Sequence, residues 1–400
     1  MAKEKIISTC DKIIEWCFYA LIIAVTFSTS LVEVLSSLMI LAWLIKKNSD
    51  RDFSQLNSVP VKLLALFLFW NILSCINSGY FKESFRGIFK WLEYSLLFVI
   101  AATSLDRKPI ARRSFYTVIV AVTITCLNGI YQYFAGVDLL RHRTLTPHDY
   151  LRRISSSFVH PNDLGSYILI ASVILIAFIL LWRVHLKKRL LLLIPFVISM
   201  AALYLTKSRG AWMAFIAAVL TLGALINKKT IAAFLAILLV VFIMLPYSVQ
   251  EHIFSLADAK SGTTWERLML WKGTINMIRE HPLLGFGVNT YSRNFPKFKP
   301  PEYPDVRYTH NSYLHMAAEI GIPGILLYLI FLVSVLMFSL VGIYRMADDD
   351  RKVLAIGLFA GLVGFTFNCV VDTHLYSVNL AVLFHLLLGF CFAISYHAQK

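Results

Sequence analysis

The sequence predicts an all-α, polytopic membrane protein of about twelve transmembrane helices. Three observations carry that class. Of 400 residues, 58% are hydrophobic and only 15% are charged, against about 45–50% and about 25% in soluble domains. The apolar excess is gathered in runs of roughly 17–25 residues, the length that crosses a bilayer as a helix. The basic residues of the short loops fall largely on one side of such an arrangement. Composition and run length exclude a disordered chain, a disulfide-rich scaffold and an outer-membrane barrel.

The spans cover 13–29, 30–46, 61–78, 88–105, 112–135, 164–182, 189–206, 210–227, 230–247, 322–344, 353–371 and 377–396. The first pair carries Ser28, Thr29, Ser30 and Glu33 near its middle. That favours a tight turn over one long segment. Met1 to Lys12 is polar and basic, and the apolar stretch behind it runs to Ile45 without a small-residue cleavage site. No cleavable leader is expected. The six cysteines form no C-x-x-C pair and mostly lie inside apolar runs. They read as small apolar filler, with no disulfide and no metal site.

Charge sets the orientation. Lys3, Lys5 and Lys12, the loops around Lys46, Arg107, Arg183, Lys228 and Arg345, and Lys400 hold 21 of the 38 Lys and Arg residues. All fall on one side, which the positive-inside rule assigns to the cytoplasm together with both termini. The remaining 17 work against topology. Eight sit in the long loop 248–310, four are Arg141, Arg143, Arg152 and Arg153, and two are Lys207 and Arg209 in a tight turn. A basic surface on the far side calls for an anionic ligand held in the membrane. Nucleic acid is not an expected partner, because this charge faces away from the cytoplasm. The chain reads as one integral membrane domain, 1–400, with 248–310 as a periplasmic loop or cap. Within that loop Leu268, Trp271, Ile275 and Ile278 recur at helical spacing. His281-Pro282 ends the helix, and Pro296, Pro300, Pro301 and Pro304 break regular structure. A second helix is expected over 310–320, stopped by Gly321, with Pro323 in the first turn of the next span.

No phosphate-binding G-x-x-x-x-G-K-[ST], H-E-x-x-H or G-x-S-x-G is present. Asp348-Asp349-Asp350 beside Arg351 and Lys352 reads as a solvated charge run. Glu33, Glu93 and Asp372 lie within or near spans. Three outer-side stretches stand out. In Tyr204–Trp212, Arg209 is held at the membrane surface between two spans; a snorkelling topology residue would belong on the other side. In Trp265–Trp271, Arg267 and Trp271 share a helix face, as they would on any surface helix. In Thr309–Gly321, His310 precedes a short helix on which His315 and Glu319 are one turn apart. A lone histidine is most often structural. Two near the outer surface without metal-ligand spacing point to acid–base work over metal binding.

Together these stretches resemble the O-antigen ligase family, within the group that includes O-antigen polymerases and bacterial O-oligosaccharyltransferases. The pattern is Ser208-Arg209-Gly210, then Arg267-x-x-x-Trp271, then His310-Asn311-x-x-Leu314 and Glu319-x-Gly321. Phe158-Val-His-Pro-Asn162-Asp-Leu-Gly-Ser-Tyr167 is similar to the family's Asn-containing entry to a span. The likeness covers mostly 150–390. It implies a GT-C-like fold in the inner membrane and transfer of a glycan from an undecaprenyl-pyrophosphate carrier to a hydroxyl acceptor outside that membrane. In ligases the acceptor is the lipid A–core sugar. No cofactor, metal or nucleotide is called for, since pyrophosphate is a good leaving group. The resemblance makes His310 the general base and sets Arg209 and Arg267 on the pyrophosphate, with His315, Glu319, Arg153 and Asn162 in support. Direct attack would invert the anomeric centre. Capsule or O-antigen polymerisation and protein O-glycosylation remain alternatives with the same chemistry. A flippase or exporter of lipid-linked sugar would explain the basic surface but not a base between two arginines.

Orientation has a direct test. Single cysteines at Lys260 and Lys187 are probed in intact cells with an impermeant reagent. Labelling is expected at 260 and not at 187; the reverse pattern overturns the topology.

Overall fold

A computed structural model describes residues 2–145, 152–244, 262–299 and 308–396. Its helices are, in chain order, α1 (Ala2–Ala24), α2 (Thr29–Asp50), α3 (Val59–Ser74), α4 (Phe81–Ser104), α5 (Lys108–Ala135), α6 (Pro161–Leu181), α7 (Leu186–Leu191), α8 (Leu193–Thr206), α9 (Arg209–Ile226), α10 (Lys228–Met244), α11 (Gly262–Glu280), α12 (Tyr291–Asn294), α13 (Ser312–Arg345), α14 (Asp350–Asn368) and α15 (Val378–Tyr396). By length and composition, eight helical segments are apolar and long enough to cross a membrane. The protein is a multi-pass α-helical membrane protein, and over its described residues each predicted span overlaps a helix, that over 189–206 in two pieces. Position 260 and the prolines at 300, 301 and 304 lie outside the described residues.

Local chemistry explains the boundaries. Ser28 caps α2 by accepting from the Leu31 amide, so the first apolar stretch is a hairpin, as its polar middle predicts. Prolines open α3, α5 and α6, where a missing amide hydrogen costs nothing. The predicted span 189–206 is broken at Leu192. Pro195 is the cause: its ring opposes the carbonyl four residues back and it donates no hydrogen bond. The three aspartates at 348–350 close helix ends. Asp349 accepts from the Arg351 and Lys352 amides, Asp348 pairs with Arg183 and Lys352, and Asp350 accepts from the Trp182 indole.

α6 and α15 are the most enclosed of the spans. α14 lies against α6, and small residues let them approach: Gly357 and Gly361 face Ile174 and Ile170, and Gly364 faces Ala214 and Ala218 of α9. The turns gather at two ends of the bundle. At one end Lys46 meets Asp11, Arg113 meets Glu15 and Lys108 meets Asp349. At the other, Asn379 donates to the Val25 carbonyl, Asn77 to that of Gly285, and Asn162 to Asp372. All six cysteines are buried free thiols.

The cap is α11, α12 and the segment between them, packed on the first turns of α13. Leu270, Met277, Tyr291, Phe295 and Ala318 form its own small core. The helix foreseen from Leu268, Trp271, Ile275 and Ile278 is present, but its buried stripe is Leu270, Thr274 and Met277. Leu268 and Ile275 are exposed. α11 carries two apolar stripes, and docking selects the one that contains Thr274, whose hydroxyl meets that of Tyr291 at 2.8 Å.

α13 is interrupted at Gly321, with φ +74° and ψ 175°, between the predicted short helix and the span. The break frees two backbone groups, and each finds a partner. Ile322 donates its amide to the Pro282 carbonyl at 2.8 Å, and the Trp70 indole donates to the Ile320 carbonyl at 2.9 Å. A Cβ at 321 would run into the Leu283 carbonyl and would require a left-handed backbone. Gly321→Ala is expected to destabilise the detergent-purified protein by about 2 kcal/mol or more. Thermal melting checks this, and a wild-type melting temperature would count against the joint.

Candidate functional site

The residues that converge at the cap end of the bundle come from five separate parts of the chain. His310 closes the segment before α13, in a left-handed conformation with φ +52°, which is uncommon for a residue with a Cβ. Asn311 then caps α13, accepting from the Tyr313 and Leu314 amides. Ser312 bolts this start to the turn after α14. Its amide donates to the Cys369 and Asp372 carbonyls at 2.8 and 3.1 Å, and its hydroxyl to Asp372 O at 2.9 Å. The bolt brings His310 Nδ1 to 3.1 Å from Asp372 Oδ1. The histidine side chain is 42% exposed and the carboxylate 12%, so the pair has one open member and one enclosed member.

Asp372 is the hub. Its Oδ2 accepts from Asn162 Nδ2 at 2.6 Å and its Oδ1 from the Thr373 amide at 2.9 Å. Asn162 stands in the first turn of α6, and its own Oδ1 accepts from Arg153 Nη2 at 2.6 Å. Arg153 also donates Nε to the Thr206 carbonyl at 2.9 Å, beside the turn that carries Arg209. Buried Asp138 accepts from the amides of Leu140, Arg141 and Arg143 and from Asn128 and Ser157. Burial would raise the Asp138 pKa, but these donors outweigh it and hold it below the usual carboxylate value.

The electrostatics are those of a shielded anion among cations. Burial by itself would raise the Asp372 pKa. The charges of His374, His310 and Arg267, and the hydrogen bond from His310, outweigh that and hold its carboxyl well below the usual range. Arg267, on the second turn of α11, also acts on Arg209 at the start of α9. Among the described residues neither Arg209 nor Arg267 has a hydrogen-bond or carboxylate partner. Two guanidinium groups within range of each other, with no ion-pair contact to a carboxylate among the described residues, leave a positive site open to an external anion.

A family model described as O-Antigen ligase matches residues 194–329. The resemblance is to O-antigen ligases. The matched stretch contains Arg209, Arg267, His310, His315 and Glu319, so the sequence pattern and the family model meet on the same segment. Arg153, Asn162 and Asp372 lie outside it and join it only in space. No curated protein matches the chain.

His315 and Glu319 occupy a different environment from His310. His315 is 2% exposed and Glu319 1%, with Nε2 and Oε1 3.4 Å apart. The imidazole lies between Tyr291 and Tyr376, with ring centroids at 4.2 and 3.9 Å. Glu319 accepts from the Tyr291 amide and the Tyr376 hydroxyl. These contacts tie cap to bundle, and no hydrogen bond links them to His310. Asp372 and His374 belong to no motif in the sequence. Asp372 was visible only as a carboxylate near a span end, since its partners are 62 and 210 residues away.

This difference predicts opposite behaviour for two histidines in one segment. Glu319→Leu and His315→Ala leave buried polar groups without partners and are expected to destabilise by about 2–5 kcal/mol. His310→Ala removes a half-exposed side chain and is expected to change stability by less than about 1 kcal/mol. Melting temperatures of the purified variants check both. Equal losses for His310→Ala and His315→Ala would contradict the distinction.

Proposed function

We propose that the protein is a glycosyltransferase that moves a glycan from undecaprenyl pyrophosphate to a hydroxyl acceptor at the periplasmic face of the inner membrane, with lipid A–core as acceptor. The family match supports a glycosyltransferase of the O-antigen ligase or polymerase type. The observation that carries the mechanism is one open histidine, oriented by an enclosed carboxylate, at the end of the bundle where two arginines stand without an ion-pair partner among the described residues. The last three of the 17 basic residues on the same side are Lys82, Arg86 and Lys90. They form a stripe along α4, flanked by exposed Phe81, Phe85 and Phe89; Lys90 pairs with Glu33 and Glu93, and Lys82 and Arg86 suit a lipid-borne anion.

The geometry supports a single displacement. Asp372 accepts the hydrogen on His310 Nδ1, which leaves the Nε2 lone pair free to act as base. Nε2 takes the proton of the acceptor hydroxyl as its oxygen bonds to the anomeric carbon. The bond from that carbon to the pyrophosphate oxygen breaks, and the departing electron pair stays on the pyrophosphate. Arg209 and Arg267 neutralise the charge that builds there, in the place where fixed positive charge lowers the barrier most. One displacement inverts the anomeric centre. Asn162 acts through Asp372, whose second oxygen it holds, and Arg153 in turn holds Asn162.

Purified variants are assayed for transfer from undecaprenyl-pyrophosphate glycan to acceptor. His310→Ala is expected to lower turnover by roughly 10²–10⁴-fold while the protein stays folded. Asp372→Asn should lose at least about 10²-fold, because the amide no longer fixes the tautomer. Arg209→Lys and Arg267→Lys keep charge but lose the planar fork and should lose most activity. Near wild-type turnover in His310→Ala removes the base assignment. Lipid movement in liposomes without a new glycosidic bond would make the protein a flippase.

A further inference from the structure

Phe81, Lys82, Phe85, Arg86 and Phe89 are exposed along the first three turns of α4, while Ser84, Gly87 and Trp91 are buried on its other face. The rings form a column, with Phe81 and Phe85 centroids 6.2 Å apart and those of Phe85 and Phe89 4.8 Å apart. The cations stand beside it, because Lys82 and Phe85, like Arg86 and Phe89, are three residues apart on a helix. Among the described residues neither Lys82 nor Arg86 has a salt bridge or a side-chain hydrogen bond. α4 starts at the cap end of the bundle, where His310 lies. Glu83 pairs with Arg293 at 3.1 Å and accepts the Asn289 side-chain amide on its carbonyl, and Gly87 lies against Val288 and Asn289.

We infer that this face of α4 docks a lipid phosphate monoester at Lys82 and Arg86, with the acyl chains of that lipid along the phenylalanines, and that the lipid is the acceptor. The identity of the lipid as acceptor rests on the glycan-transfer reading; the docking does not. A phosphate monoester carries about −1.5 to −2 charges at neutral pH, which two cations about 6 Å apart along the axis match. The phosphodiester of an ordinary phospholipid carries one. Lipid A presents such monoesters at the membrane surface.

The level of the headgroup is fixed from below. One turn further along α4, Lys90 Nζ lies 2.8 Å from Glu33 Oε1 and 3.2 Å from Glu93 Oε2. Two carboxylates against one ammonium repel a phosphate there, while the column of rings runs about 12 Å and reaches past Arg86 toward the acyl chains. The donor's pyrophosphate has its own cations on another flank. The helix of Arg209, α9, packs on α6, α10 and α14, whereas α4 packs on α2, α3 and α15. A single displacement needs the entering hydroxyl and the departing pyrophosphate on opposite faces of the anomeric carbon, so two lipids that come to the site from different flanks fit it.

Full-length protein in detergent is titrated with lipid A, with its dephosphorylated form and with phosphatidylglycerol. The wild type should bind lipid A at least about tenfold more tightly than either of the others, and Lys82→Ser combined with Arg86→Ser should remove that preference. Lys82→Arg combined with Arg86→Lys keeps both charges and should retain it, which separates docking from a folding defect. Phosphatidylglycerol bound as tightly as lipid A, or a preference untouched by the double serine variant, overturns the inference. In the transfer assay the double serine variant should raise the acceptor KM by about tenfold and leave the donor KM unmoved. A rise in donor KM alone would assign the stripe to the donor and also overturn the inference. Stripe-dependent binding of lipid A without transfer to lipid A–core supports the docking and removes the ligase reading; transfer with stripe-independent binding does the reverse.

Discussion

The Ser312 bolt between the start of α13 and the turn after α14 is the contact on which the site depends. Ser312 spends its amide and its hydroxyl on the Cys369 and Asp372 carbonyls. Those carbonyls are freed where α14 ends, and Ser312 is among the first residues of α13, where amides have no partner within the helix. Two helix termini therefore satisfy each other across the bundle, and the side chains that flank the bolt meet: His310 on one side, Asp372 on the other. In a bilayer, where stray backbone groups have no water to turn to, this exchange is strongly favoured. The left-handed backbone of His310 is the local strain that the exchange sustains.

Asp372 is stable as a buried anion because its partners arrive from every direction. Asn162, the Thr373 amide and His310 bind its oxygens, and His374 and Arg267 supply charge. An enclosed carboxylate without such company would take up a proton. Arg153 extends the chain one residue further and carries it to the carbonyl at the Arg209 turn. A continuous polar path thus joins the carbonyl at the Arg209 turn, Arg153, the first turn of α6 and the open histidine.

The cap is held to the bundle by a different set of contacts, and this separates positioning from chemistry. Glu319, His315, Tyr291 and Tyr376 form a closed joint with little solvent access. The Gly321 interruption, with Trp70 and Pro282 taking the freed backbone groups, turns the chain from cap into span. Arg267 is carried on α11 and so depends on this joint for its distance from Arg209 and Asp372.

Apolar runs determined the class, and the polar middle of the first run determined the hairpin at Ser28, because the bilayer acts on each segment separately and its demands are readable in composition. The glycine and proline at 321 and 323 likewise marked a break that depends on backbone geometry alone. Arg209 and His310 stand out in the sequence because they begin helices in short motifs, and Arg267 because it shares a cap-helix face with Trp271; the roles proposed for them rest on the resemblance. Tertiary structure alone decided what His310 pairs with, since Asp372 is 62 residues away and looks in sequence like any carboxylate at a span end. It also decided which stripe of α11 is buried, and it separated His315, sealed between two tyrosines, from His310, five residues earlier and open. Pairings across the bundle depend on which helix termini meet, and that follows from packing of whole helices rather than from any local pattern.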